Sequence, residues 1–238
     1  MKTQILDYED RGKPLRGFLV WDEALTGVRP GVLVCHENMG LTEHEKERAT
    51  RLASLGYIAL ACDLFGERAT ASATDAERRA AFEEFRAQKL LPRVRAGLTA
   101  LSAQPQVDTH RIAAIGFCLG GMGVLELARF GADLRGVVSF HGGLLGLQPA
   151  SQGRVKAKVL VCHGASDPFI TLEHVADFTK EMEAAAVDYQ INLYGGAQHG
   201  FTNPAADSLG RPGIAYNFLA DARSWSAMRQ FLTELLGT

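Results

Sequence analysis

The sequence contains few cysteines and almost no net charge, and each scarcity excludes a class of protein. Its 238 residues include four cysteines, none in a C-x-x-C pair. A structural zinc site or a disulfide-held miniature scaffold is therefore not expected. Lys and Arg total 25 against 27 Asp and Glu, a net charge of −2. This balance predicts no basic surface for nucleic acid and no polybasic patch for a membrane.

Long apolar runs are also missing. No stretch approaches the roughly 18 residues of a membrane-spanning helix. The opening segment MKTQILDYEDRGKP lacks the basic and apolar regions of a secretory signal. With reduced thiols as the simplest state of the cysteines, we expect a cytoplasmic protein. No long exposed apolar helix demands a partner subunit, so we expect a monomer or a weak homo-oligomer.

Short apolar runs alternate with helical patterns along the chain. After a hairpin pattern near the start, strands are predicted at 31–37, 57–65, 111–117, 136–142, 157–164 and 189–195. Helices are predicted at 43–56, 120–131, 171–185 and near 219–236, with one or two more in 74–103 and Pro92 at a start or kink. Runs such as VLVC are apolar on both faces, which is typical of parallel strands covered on both sides by helices. We predict one α/β domain over residues 1–238 with a mostly parallel central sheet.

Reactive side chains follow these strands at their carboxyl ends, where open α/β sheets bind ligands. Cys118 lies in the segment GFCLGG (116–121), directly after a strand and before a helix. This pattern is a G-x-S-x-G elbow with Cys in place of Ser, in which small flanking residues allow a sharp turn. The dipole of the following helix favours a thiolate. A buried structural cysteine is the alternative; a nucleotide-binding loop is not, because G-x-G-x-x-G is absent.

Asp167 and His199 complete the predicted set. Taken singly, Asp167 before Pro168 is typical of a turn, and a histidine in a glycine-rich loop is usually a surface residue. In the order nucleophile, acid, histidine, however, the three match the chain order of α/β-hydrolases. Cys118 would attack as thiolate, His199 would move protons, and Asp167 would hold the imidazole tautomer.

Two backbone N–H groups are predicted to form the oxyanion hole. One belongs to Leu119, the residue after the nucleophile, and the other to Asn38, in the loop after strand 31–37. His36, His141 and His163 lie near the same edge. Their spacing lacks H-x-x-x-H and H-E-x-x-H, so they are predicted to be structural or to line the pocket, and neither a metal nor another cofactor is expected.

The chain resembles the dienelactone hydrolase family in these motifs. GFCLGG, HENMG (36–40), DPFI (167–170) and GAQHGF (196–201) match the signatures of that family, as does DLFGE (63–67). The resemblance implies an α/β-hydrolase fold and hydrolysis of small-molecule lactones or esters. It also implies that Glu37 contacts the resting thiol of Cys118 and exchanges partners when substrate binds.

One position departs from that family. Dienelactone hydrolases proper carry an Arg four residues after the catalytic His, where it holds the substrate carboxylate, and here the residue is Asn203. A second family Arg could correspond to Arg78 or Arg79. This difference favours a more neutral substrate than dienelactone. The candidate pocket residues are His36, Arg78, Arg79, His141, Phe201 and Asn203.

The leading interpretation is a hydrolase of small carboxylic esters or lactones that works through a thioacyl-enzyme. A broader hydrolase that also accepts activated aryl esters or phosphotriesters is the second. A binding or redox-sensing protein on the same scaffold, without catalysis, is the third.

Overall fold

An eight-stranded sheet forms the centre of the protein in a computed structural model, which describes residues 1–66 and 75–237. Its strands lie in the order β1-β2-β4-β3-β5-β6-β7-β8. The pairs β1–β2 and β2–β4 are antiparallel, and every other neighbouring pair is parallel. The strands are β1 Lys2–Asp10, β2 Lys13–Trp21, β3 Arg29–Cys35, β4 Ile58–Cys62, β5 Val107–Phe117, β6 Gly136–Phe140, β7 Lys158–Gly164 and β8 Tyr189–Tyr194. The predicted hairpin and mostly parallel sheet are confirmed.

Six α-helices accompany the strands in the described part of the chain. They are α1 Glu43–Ala53, α2 Asp75–Gln88, α3 Leu90–Ser102, α4 Leu119–Phe130, α5 Leu172–Ala184 and α6 Phe218–Leu236. The predicted helical region 74–103 contains two helices that separate at Lys89. Pro92 lies in the first turn of α3, where its missing N–H costs no intrahelical hydrogen bond. Among the described residues, no helix is long and apolar enough to cross a membrane.

Both faces of the sheet are buried. Along β3, Leu33 and Cys35 pack into the core on one face, while Val32 and Val34 pack into the core on the other. Helices α3, α4 and α5 contribute to the first core, and α1 and α6 contribute to the second. All four of these β3 side chains are fully buried. The two-sided burial explains why the strand reads as a continuous apolar run.

Strand β5 is longer than its apolar run predicts. It begins at Val107 rather than at residue 111, and its first residues pair with Arg29 and Pro30 before the register shifts ahead of Gly31. Beyond this shift β3 and β5 run in register to their carboxyl ends. The loop after β3 therefore lies beside the turn after β5, and the Gly120 N–H donates to the His36 carbonyl at 3.0 Å.

Candidate active site

Cys118 occupies the turn between β5 and α4. Its φ of +49° lies in the left-handed region that a non-glycine residue rarely adopts. A Cβ on Gly116 would lie 2.1 Å from the Gly120 carbonyl oxygen, and one on Gly120 would lie 2.2 Å from the Cys35 carbonyl oxygen. The glycines thus allow the start of α4 to approach β3 and β5, while the strained backbone belongs to Cys118 itself. The Cys118 side chain is partly exposed, and the other three cysteines are buried.

The structure brings the three predicted catalytic side chains into contact. The Nε2 atom of His199 lies 3.1 Å from the Cys118 Sγ, and its Nδ1 lies 2.8 Å from an Asp167 carboxylate oxygen. The other Asp167 oxygen accepts hydrogen bonds from the Phe169 and Ile170 N–H groups at 2.8 and 3.0 Å. A thiol, an imidazole and a carboxylate so connected can pass a proton from sulfur to nitrogen.

The electrostatics of the site favour a charged imidazole. Burial alone would lower the pKa of His199, but the Cys118 and Asp167 side chains together raise it to about 10. Burial would likewise raise the pKa of Asp167, yet the bond to His199 and the two loop N–H groups hold it below its ordinary value. Asp167 is therefore a carboxylate, and the Nδ1 atom of His199 carries a hydrogen that it donates to this carboxylate.

The two predicted oxyanion donors lie on adjacent elements. Leu119 is the first residue of α4, so its N–H has no acceptor within the helix. Asn38 is exposed in the turn after β3, where the Gly40 N–H donates to the Glu37 carbonyl. The Glu45 carboxylate also holds this loop, because it accepts hydrogen bonds from the Glu37 and Thr42 N–H groups.

Glu37 differs from its predicted contact. Cys118 pairs with His199 in this structure, whereas the Glu37 carboxylate accepts a 2.6 Å hydrogen bond from the Asn203 side-chain amide. Its second oxygen lies 3.8 Å from the Nε2 atom of His141. Burial raises the pKa of Glu37 to about 7, although the Asn203 hydrogen bond opposes this rise.

Two candidate pocket residues belong to the core instead. The His36 ring is fully buried, with Nδ1 2.6 Å from the Glu37 carbonyl oxygen and Nε2 accepting from the Leu64 N–H. Phe201 is also fully buried and packs against His141 and Tyr194. Both side chains point from the strand-end loops into the interior, so His36 follows the structural alternative of its prediction, and the predicted pocket position of Phe201 was wrong.

Other candidates have different outcomes. His141 is fully buried and contacts the nucleophile turn from inside, and Asn203 is partly exposed beside Glu37. Arg78 and Arg79 fall on α2, and their side chains lie outside the described residues.

The sequence analysis missed Phe169, two residues after the predicted acid. Its ring stands edge-on to His199 with centroids 5.6 Å apart, and the residue is 47% exposed. The sequence signal that could have identified Phe169 is an aromatic residue in the loop that carries Asp167. Because Asp167 has to reach His199, other side chains of this loop also lie near the histidine. Phe169 is thus an apolar surface next to the reacting atoms.

Comparisons with known proteins identify the family of this chain. A sequence model described as the dienelactone hydrolase family matches residues 15–236. The chain belongs to the dienelactone hydrolase family. The family match confirms the predicted enzyme class, a hydrolase of carboxylic esters or lactones.

Individual relatives extend across most of the chain. A protein from Bradyrhizobium sp. named "Probable 2-oxo-3-(5-oxofuran-2-ylidene)propanoate lactonase" is 30% identical, over 85% of this chain and 82% of its own. A solved dienelactone hydrolase-like promiscuous phosphotriesterase from metagenomic libraries is 44% identical, with a TM-score of 0.91 and 98% of both chains covered. An α/β hydrolase from a Medee basin deep-sea metagenome library, 15% identical with a TM-score of 0.68 over 99% of both chains, shares the fold. The predicted α/β-hydrolase fold is confirmed.

Proposed function

We propose that the protein hydrolyses small carboxylic esters or lactones through a Cys118–His199–Asp167 triad, without a metal ion. The observation that carries this proposal is the unbroken hydrogen-bonded path from sulfur through imidazole to carboxylate, with steps of 3.1 and 2.8 Å. A partly exposed cysteine at the start of a helix meets the two needs of a nucleophile, access and a stabilised thiolate.

The first half-reaction forms a thioacyl-enzyme. The Cys118 thiolate attacks the carbonyl carbon, and the N–H groups of Leu119 and Asn38 stabilise the oxyanion that forms. When this intermediate collapses, the bond from carbon to the leaving oxygen breaks, and the leaving oxygen takes a proton from the His199 imidazolium. The acyl group then remains on sulfur as a thioester, and His199 is neutral.

Water completes the turnover. His199 Nε2 takes a proton from water as the water oxygen attacks the thioester carbon, and the Cys118 thiolate leaves. The products are a free carboxylic acid and the original thiolate–imidazolium pair. Asp167 keeps the imidazole oriented throughout, because its carboxylate accepts the Nδ1 hydrogen.

The substrate is expected to be neutral near its acyl group. Asn203, the position of an Arg in the dienelactone hydrolases proper, donates its amide hydrogen to Glu37 and brings no positive charge. A substrate carboxylate would meet the Glu37 carboxyl group without a guanidinium to balance it. We therefore propose that aryl and alkyl esters are preferred over dienelactone. We also propose that Glu37 gates the Cys118 thiol by exchanging its Asn203 partner when substrate binds.

A second candidate activity is the hydrolysis of activated phosphotriesters. The observation that favours it is the 44% identity to a dienelactone hydrolase-like promiscuous phosphotriesterase over nearly the whole of both chains. The donors that hold a carbonyl oxyanion can also contact a phosphoryl oxygen.

We further propose one domain over residues 1–238 and a cytoplasmic location. We also propose a monomeric or weakly associating state, which size-exclusion chromatography with light scattering would test.

The test compares wild type with Cys118→Ala on p-nitrophenyl acetate, a lactone and an activated phosphotriester, each with and without a chelator. We expect ester and lactone turnover that survives chelation and falls to background in the variant. Intact-protein mass spectrometry should show an acetyl adduct on Cys118 that decays as product appears. Equal activity in both proteins, or dependence on metal, would overturn the mechanism, and an adduct that never decays would favour the sensing protein.

A further inference from the structure

His141 lies directly behind the nucleophile and has an unusual backbone. It follows β6, its φ is +41°, and its side chain is fully buried. Its Nδ1 atom lies 3.2 Å from the Cys118 backbone nitrogen, and the same N–H also points to the Phe140 carbonyl at 3.0 Å. Cys118 and His141, which both have a positive φ, are thus joined by a hydrogen bond. Backbone strain of this kind persists where the surrounding contacts hold the residues in place.

The identity of the donor determines the tautomer of His141. A backbone N–H can only donate, so the Nδ1 atom of His141 must be the acceptor and carry no hydrogen. The ring hydrogen then lies on Nε2, which is 2.9 Å from the Thr202 hydroxyl oxygen and can donate to it. The bond from the Cys118 N–H needs a neutral imidazole, because a protonated ring would lose its acceptor at Nδ1.

The second contact connects the nucleophile to the histidine loop. Thr202 follows His199 by three residues, and its carbonyl accepts a 2.7 Å hydrogen bond from Arg48 on α1. Arg48 is buried and also pairs with Asp221 on α6 at 2.8 Å. One end of His141 therefore contacts the turn that carries Cys118, and the other contacts a loop anchored to two helices.

The surroundings keep this ring neutral. Burial lowers the pKa of His141 well below its ordinary value, and His199, His44 and His163 lower it further. Glu37 is the acidic group closest to it in the described contacts, 3.8 Å from Nε2. The His199 ring stands edge-on to His141 with centroids 5.3 Å apart. A positive charge on His141 would therefore oppose the imidazolium that catalysis needs at His199.

We propose that His141 is a positioning residue: its neutral ring connects the Cys118 N–H to the Thr202 hydroxyl and so sets the distance between the thiol and His199. This inference rests on the proposed function of Cys118 and His199. The His141 side chain is fully buried, and its hydrogen-bond partners in the described residues are the Cys118 backbone N–H and the Thr202 hydroxyl. It acts on the nucleophile through the backbone and on the general base through the loop.

Three variants separate this role from simple packing. Asn at position 141 tolerates a positive φ and presents Oδ1 where the histidine has Nδ1, so His141→Asn keeps the bond to Cys118 and loses the one to Thr202. His141→Gln can reach Thr202 but places a methylene where Nδ1 lies. His141→Leu keeps bulk and loses both bonds. His110→Leu, at an exposed histidine, is the matched control.

The first readout is p-nitrophenyl acetate hydrolysis. We expect kcat to fall about fivefold in His141→Asn, the effect of one hydrogen bond, and about 100-fold in His141→Gln and His141→Leu, with KM changed much less. The His110→Leu enzyme should match wild type. Equal losses in the Asn and Gln variants, or a folded Leu variant within twofold of wild type, would overturn the proposal.

The second readout does not depend on ester hydrolysis. Iodoacetamide alkylation of Cys118, followed by mass spectrometry from pH 5 to 9, reports the thiolate fraction. We expect the profile to move to higher pH by about one unit in the Gln and Leu variants and to stay in place in the Asn variant. If the Leu variant fails to fold by circular dichroism, the Asn and Gln pair decides. Unchanged esterase activity in Cys118→Ala would instead refute the proposed function.

Discussion

Replacing Glu37 with Gln should make the protein more stable at neutral and alkaline pH and change its stability in acid much less. Glu37 is 9% exposed, and its carboxylate accepts a hydrogen bond from the Asn203 amide. Gln retains an oxygen for that bond but cannot ionise. The variant therefore removes the cost of a buried charge and keeps the shape of the side chain.

The magnitude follows from the pKa. Burial raises the pKa of Glu37 from its ordinary 4.5 to about 7, despite the Asn203 hydrogen bond that opposes it. Below about pH 4.5 the carboxyl is protonated in both the folded and the unfolded chain, and its stabilising protonated form is fully present. As pH rises from 4.5 to 7, the unfolded chain releases this proton while the folded group keeps it, so that stability is lost, and the loss is complete once pH has passed the folded pKa of about 7. The loss approaches about 3 kcal/mol.

Urea unfolding followed by circular dichroism at pH 5, 7 and 9 measures this effect. The free energy of unfolding of Glu37→Gln should exceed that of wild type by less than about 1 kcal/mol at pH 5 and by about 3 kcal/mol at pH 9. Glu47→Gln, at an exposed position of α1, is the control and should show no such trend. A difference that is the same at all three pH values would refute the reasoning.

Three other substitutions have defined outcomes. Asp167→Asn removes the acceptor that holds His199 in its tautomer, so p-nitrophenyl acetate kcat should fall about 10⁴-fold with KM little changed. Gly120→Ala places a Cβ 2.2 Å from a backbone oxygen of β3 and should yield no folded protein by thermal denaturation, whereas Gly195→Ala, with open space around it, should melt like wild type. Phe169→Ala should raise KM for aryl esters more than for alkyl esters in steady-state assays, because the exposed ring beside the histidine is lost.

The sequence predicted what local patterns encode. Apolar runs located the strands, and the elbow around Cys118 predicted a nucleophile because strand, turn and helix all follow from neighbouring residues. The order of Cys118, Asp167 and His199 predicted their meeting, because parallel strands end at one edge. Their catalytic roles remain predictions until the variants are measured.

What the sequence left open depends on contacts between distant residues. His36 and Phe201 follow strands as catalytic residues do, yet their rings turn inward, since the direction of a loop side chain depends on its neighbours in space. The Asn203 bond to Glu37 joins residues 166 positions apart. The left-handed backbone of His141 has no marker in the sequence, because glycine is the residue that pattern reading expects at a positive φ.

The unequal exposure of the four thiols allows the active sites in a preparation to be counted. Cys35, Cys62 and Cys162 are fully buried, whereas Cys118 is partly open to solvent. A chromogenic disulfide reagent added to the folded protein should therefore release close to one equivalent of chromophore per chain quickly, and the remaining equivalents only after denaturation. The fast phase would give the fraction of competent enzyme in a preparation, and turnover numbers could then be normalised to active sites instead of total protein.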